Sequence, residues 1–106
     1  MNRMSEDEEQ ITSKDAFGKL LRLGEASIQI IDYILCSPKP VTPKELVDRL
    51  GITEGTVWNA LSRLQKVGFL VTKNRGEYEA NLGFILSMVL FTLSDIAEKL
   101  REVKRR

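Results

Sequence analysis

The chain has no histidine, which removes His-based nucleophilic triads, His-containing zinc sites and the commonest general base. Its single cysteine, Cys36, permits neither an intrachain disulfide nor a thiolate zinc cluster, and fits a reducing, cytoplasmic home. Nowhere does the phosphate-cradling pattern G-x-x-x-x-G-K-[ST] occur. Carboxylates are numerous but scattered over polar positions, with no pair singled out for acid–base work. These absences argue against an enzyme, and no metal or cofactor is expected. The longest run without charge, residues 80–94, is too short to cross a bilayer. The first ten residues are acidic, not basic then apolar, so they do not read as a signal peptide. Net charge is only +1, so a nucleic-acid binder of this composition must concentrate its cations locally.

With 106 residues there is material for one small domain. Residues 41–82 carry the most information. Thr42 reads as an N-cap, followed by Pro43 at the first helical position, where a missing N–H costs nothing. Leu46, Val47 and Leu50 give that helix an apolar face, and Gly51 suits the left-handed residue that ends it. Ile52 is placed to plug the turn, and Thr53 to cap a second helix over residues 54–67, closed by Gly68. Val57, Ala60, Leu61 and Leu64 recur at spacings of three and four and define its buried side. The opposite side is centred on Gly55, Asn59, Ser62 and Lys66, with Trp58 on one flank and Thr56 and Arg63 on the other.

Residues 69–73 and 77–81 alternate enough to pair as strands, with Phe69, Val71, Tyr78 and Ala80 expected inward. Asn74, Arg75 and Gly76 supply the turn, and Lys73 and Arg75 place two positive charges at its end. Helix, tight turn, helix and basic hairpin make a winged helix-turn-helix, a shape whose usual work is holding DNA. Asn pairs bidentately with adenine, Arg with guanine or phosphate, and Ser or Thr with either. Gly55 leaves room for close approach at a helix N-terminus that itself favours phosphate. The candidate DNA-binding residues are therefore Thr42, Lys44, Thr53, Gly55, Thr56, Trp58, Asn59, Ser62, Arg63, Lys66, Lys73, Asn74 and Arg75. Lys44, Arg63, Lys66, Lys73 and Arg75 are expected on one surface with Asn59.

The run LGITEGTVWNALSRLQKVGFL, followed by VTKNRGEYE, resembles the winged-helix core of prokaryotic (bacterial or archaeal) transcription regulators of the MarR and ArsR type. The likeness covers roughly 40 to 55 residues. It implies that Thr53, Thr56, Trp58, Asn59 and Arg63 face double-stranded DNA, with Lys73 and Arg75 on the wing. Trp58 departs from the small or basic residue often found at its place in that family. Packing on Pro43 or Val47 is the competing role for it.

Outside this core, residues 1–11 include Glu6, Asp7, Glu8 and Glu9 and read as a disordered acidic tail, either merely solvated or shielding a basic surface. Thr12 and Asp15 match the pattern Thr-x-x-Asp that opens a helix, with Phe17, Leu20 and Leu21 as its apolar face and a break at Gly24. Residues 25–36 resume with Ile28, Ile31, Ile34 and Leu35 on one side and Ile30 and Tyr33 partly covered. Cys36 is expected as a small buried hydrophobe, the alternative being a redox-sensing thiol. The link Ser37, Pro38, Lys39, Pro40 is extended, and Val41 is placed to add a short third strand.

The final helix, 83–106, carries Leu86, Val89, Leu93, Ile96, Leu100 and Val103, preceded by Leu82, at alternating spacings of four and three. Phe84, Ile85, Met88, Leu90, Phe91 and Ala97 add further apolar surface. So apolar a helix needs cover on more than one side. The expectation is a winged-helix domain over 12–82 and a C-terminal dimerisation helix, giving a homodimer through Phe17, Leu20, Leu21 and the heptad seam. The alternative is a helix folded back on its own domain. The basic end, Lys99, Arg101, Lys104, Arg105 and Arg106, complements the helix dipole.

The leading functional reading is a sequence-specific, dimeric DNA-binding transcription regulator, with no effector legible. Glu54, Glu77, Glu79 and Trp58 motivate a second one, a winged-helix module that binds protein. A third is a non-specific architectural protein that coats DNA.

Overall fold

The computed structural model describes residues 15–105. The acidic tail and Thr12 of the proposed capping pattern lie outside them. The fold is mainly helical with one two-stranded antiparallel hairpin and a long C-terminal helix, a winged helix-turn-helix. Its elements in chain order are α1 (Ala16–Leu23), α2 (Glu25–Leu35), α3 (Pro43–Leu50), α4 (Glu54–Val67), β1 (Leu70–Asn74), β2 (Glu77–Ala80) and α5 (Leu82–Arg105).

Gly24 separates α1 from α2 with φ of 100°, a conformation that costs a side-chain-bearing residue far more than glycine. α2 buries Ser27, Ile30, Ile31 and Ile34, a stripe at spacings of three and four. This corrects two expectations: Ile30 is fully buried, while Ile28 and Leu35 are exposed. Two adjacent stripes of this helix are apolar, and the one containing a serine is the one that packs inward. Ser27 Oγ donates to the Leu23 carbonyl at 3.5 Å, which makes its burial tolerable. Cys36 is exposed, not buried, because α2 stops at Leu35 and the chain turns away into the Ser37–Pro40 link.

The helix-turn-helix forms as its caps dictate. Thr42 Oγ1 accepts from the Glu45 N–H at 3.2 Å, Gly51 takes φ of 69°, and Thr53 Oγ1 accepts from the Thr56 N–H at 3.3 Å. Leu46 from α3 and Val57, Leu61 and Leu64 from α4 are completely buried between these helices and α2. Tyr33 links α2 to α3 by donating its hydroxyl to Glu45 Oε2 at 2.6 Å. That bond first, then partial removal from water and the Glu45 charge, raises the Tyr33 phenol above the ordinary tyrosine range.

Where α4 ends, the Phe69 N–H still bonds the Leu64 carbonyl at 2.9 Å, so Phe69 belongs to the turn and the strand starts one residue later. The strand alternation shifts accordingly. Leu70 points inward and Val71 outward at 40% exposure, reversing the expectation for Val71. Leu70 pairs with Ala80 and Thr72 with Tyr78, after which the register slips and Lys73 is left as a bulge before Asn74 pairs with Glu77. Val41 joins by a single antiparallel bridge to Tyr78, with both N–H···O distances 2.9 Å. Phe69 is fully buried, and its ring meets Phe84 of α5 edge-on at 5.4 Å and 85°.

α5 is capped by Asn81, whose Oδ1 accepts from the Phe84 N–H at 3.3 Å. Of its 24 residues, only Ile85 and Met88 are buried. α1 packs near it and sends Ala16 and Leu20 into the domain's own core. Leu20, expected at a dimer contact, is thus already covered by its own chain, whereas Phe17 and Leu21 are open at 41% and 55% exposure.

Candidate nucleic-acid interface

The caps and the buried stripe of α4 leave its other side bare. Thr53, Glu54, Gly55, Thr56, Asn59, Ser62, Arg63 and Lys66 are all exposed, and Trp58 is 47% exposed. A side chain added at Gly55 would meet nothing within 4 Å, so a ligand backbone can approach there closely. Thr53 and Thr56 hydroxyls bond each other at 2.9 Å, which fixes both at the rim of the first turn. Glu54 in that turn complements the helix dipole.

The hairpin is held against α4 by a contact that sequence reading missed. Gln65 Nε2 donates to Thr72 Oγ1 at 2.8 Å. The only available signal was that Gln65 lies two turns beyond Trp58, on the same stripe. At the hairpin end, Gly76 takes φ of 76° and Asn74 Nδ2 donates to Glu77 Oε1 at 2.9 Å, so Asn74 is engaged in the turn itself. Lys73 and Arg75 are exposed there.

An open groove of about 480 Å³ runs from this turn to the helices, lined by Thr42, Pro43, Lys44, Val47, Asp48, Glu54, Trp58 and Gly76. Trp58 thus shares a groove with Pro43 and Val47 and still presents nearly half its surface. Lys44 pairs with Asp48 at 3.5 Å, both side chains being well exposed. Such a pair is weak and yields readily to a stronger anion.

Arg63 and Lys66 face a different neighbour. They line a depression together with Lys19 and Arg22 of α1. The cations expected on one surface therefore frame the bare side of α4 from two edges, with Lys44 toward the wing and Arg63 and Lys66 toward α1. Lys19 and Arg22 escaped sequence reading because nothing local ties α1 to α4. Among the described residues there is no group of His, Cys, Asp or Glu able to hold a metal ion. Nor is any helix among them long and apolar enough to cross a membrane.

The chain matches no curated protein and no solved structure at a significant level. A family model described as an HTH domain does match, over residues 27–79. That span runs from Ser27, the first residue of the α2 buried stripe, to Glu79, one residue short of the end of β2, taking in α3, α4 and β1 and leaving out α1 and α5. It covers half of the chain, and on that match, with the helix–turn–helix geometry of α3 and α4, this protein belongs to the helix-turn-helix domain family.

Proposed function

We propose that the protein is a cytoplasmic, sequence-specific DNA-binding transcription regulator that acts as a homodimer and is akin to MarR- and ArsR-type regulators. The observation that carries this reading is the bare, polar side of α4, which shares a groove with the wing turn at Gly76. α4 enters the major groove of double-stranded DNA, with Asn59, Ser62 and Arg63 toward base edges and Thr53, Thr56 and Gly55 near the backbone. Lys73 and Arg75 meet phosphates or the minor groove, while Thr42, Lys44 and Lys66 flank the contact. No catalytic step is assigned to any residue.

The dimer reading rests on α5. Leu82, Leu86, Val89, Leu93, Ile96, Leu100 and Val103 form one seam, and each is between 39% and 65% exposed. A helix of 24 residues is about 36 Å long. Its last four turns bury nothing in their own domain, and an isolated helix with so much apolar surface is unstable in water. A second α5, joined by Phe17 and Leu21, covers that seam and sets two α4 helices for a two-fold site.

One observation favours a second reading, a protein-binding module. Trp58 stands half-exposed in a groove that also contains Asp48 and Glu54. Selection of binding sites from a random duplex pool separates the two. An inverted repeat is the expected result. Failure to retain any duplex at low salt refutes the DNA reading and leaves the protein partner. Retention of all duplexes alike means non-specific coating.

A further inference from the structure

We propose that α1 and the end of α4 form a backbone clamp, in which Lys19 and Arg22 grip phosphates of the same duplex that α4 reads. The proposal rests on the DNA reading above and extends it to a helix outside the matched HTH region.

The depression between the two helices has a volume of about 360 Å³ and is lined by Lys19, Arg22, Leu23, Arg63, Lys66 and Val67. Every charged residue in that lining is a cation. Lys19 and Arg22 are three residues apart on α1, and Arg63 and Lys66 are three apart on α4. Each pair therefore projects from one helix face, and like charges at that spacing oppose helix formation. Bringing Lys19 and Arg22 to one concavity with Arg63 adds repulsion across it. Lys19, Arg22 and Arg63 make no ion pair among the described residues. Elsewhere the same chain spaces charges for attraction: Lys44 with Asp48, Lys99 with Asp95 and Arg101 with Glu98 all pair along their helices. With a net charge of only +1, such a concentration of cations in one place stands out and fits an anionic ligand.

The ligand that fits is the sugar-phosphate backbone. Arg63 belongs both to the depression and to the bare side of α4, one helical turn from Asn59. A duplex lying along α4 thus carries its flanking strand past Arg63 toward Lys19 and Arg22. These contacts touch no base, so they raise affinity for every sequence equally.

The test is the salt dependence of DNA binding by full-length protein carrying Lys19→Gln and Arg22→Gln, measured by fluorescence anisotropy on specific and scrambled duplexes. Loss of two phosphate contacts lowers the slope of log K against log salt by about two, and weakens binding roughly tenfold at moderate salt for both duplexes. Arg22→Gln alone, at an exposed position, lowers the slope by about one. Lys19→Arg with Arg22→Lys keeps the charge and retains the wild-type slope. If the wild type binds and Arg63→Ala weakens it while the glutamine variants keep the wild-type slope, the clamp is wrong and the DNA reading stands. A wild type that binds no duplex overturns both.

Discussion

Leu93 lies midway along the apolar seam of α5 and is 57% exposed, so most of its side chain contributes nothing to its own core. Replacing it with glutamate perturbs the proposed dimer while sparing the domain. Burying a whole leucine side chain contributes about 1.5–3 kcal/mol. The exposed 57% of Leu93 accounts for roughly 0.9–1.7 kcal/mol of that if a twin covers it. Two-fold symmetry doubles the figure to about 1.7–3.4 kcal/mol per dimer, or a roughly twenty- to three-hundred-fold weaker association. Two carboxylates brought toward each other in the seam add to the loss. Light scattering after size exclusion at micromolar protein reads the outcome. The wild type is expected at twice the 12.0 kDa of one chain, and Leu93→Glu at 12.0 kDa with a cooperative unfolding transition that shows the winged-helix domain still folded. A wild-type monomer refutes the dimer; a variant that dissociates at the same protein concentration as the wild type refutes the seam.

Three further outcomes follow from local geometry. Phe69→Ala empties a fully buried site and removes the edge-on contact with Phe84, so denaturant unfolding at fixed protein concentration should show a loss of about 3–5 kcal/mol. Gly55→Ala meets no atom within 4 Å and sits in a helix, so it should raise stability by up to about 1 kcal/mol while weakening DNA binding; unchanged binding would remove Gly55 from the interface. Because the Tyr33 phenol is raised in the folded state, its link to Glu45 stabilises fully below the unfolded tyrosine pKa and is lost as pH rises through the folded one. Melting temperature should therefore fall more steeply above about pH 10 in the wild type than in Tyr33→Phe. Equal slopes would show that the Tyr33–Glu45 bond is not kept in solution.

Much of this architecture was legible because its signals are local. Thr42, Gly51, Thr53 and Gly68 mark helix ends by their own backbone chemistry, and the structure puts all four at helix boundaries. The 57–60–61–64 stripe of α4 was equally plain. Errors arose where one-dimensional patterns are degenerate. Phe69, Leu70 and Val71 are three apolar residues in a row, and only the Phe69 N–H bond to Leu64 decides which of them face inward. In α2, Ile28 and Leu35 compete with Ile30 and Ile34 for the core, and the serine at 27 disguised the winning stripe. Cys36 follows an apolar helix yet falls just past its end. The exposed side of α4 was readable from the wheel alone. Its flanks were not, since the Gln65–Thr72 tether and the basic depression with α1 join residues that only the fold brings together.

The central claim is that the bare side of α4 is the surface that binds DNA, and one measurement bears on it directly. With the duplex recovered by selection, anisotropy compares the wild type with Arg63→Ala and Asn59→Ala. Both residues are exposed, so neither change disturbs the core. Each should weaken specific binding by about 1–3 kcal/mol, and Asn59→Ala should also relax the preference at one base pair. Affinity and preference that match the wild type in both variants would contradict the account.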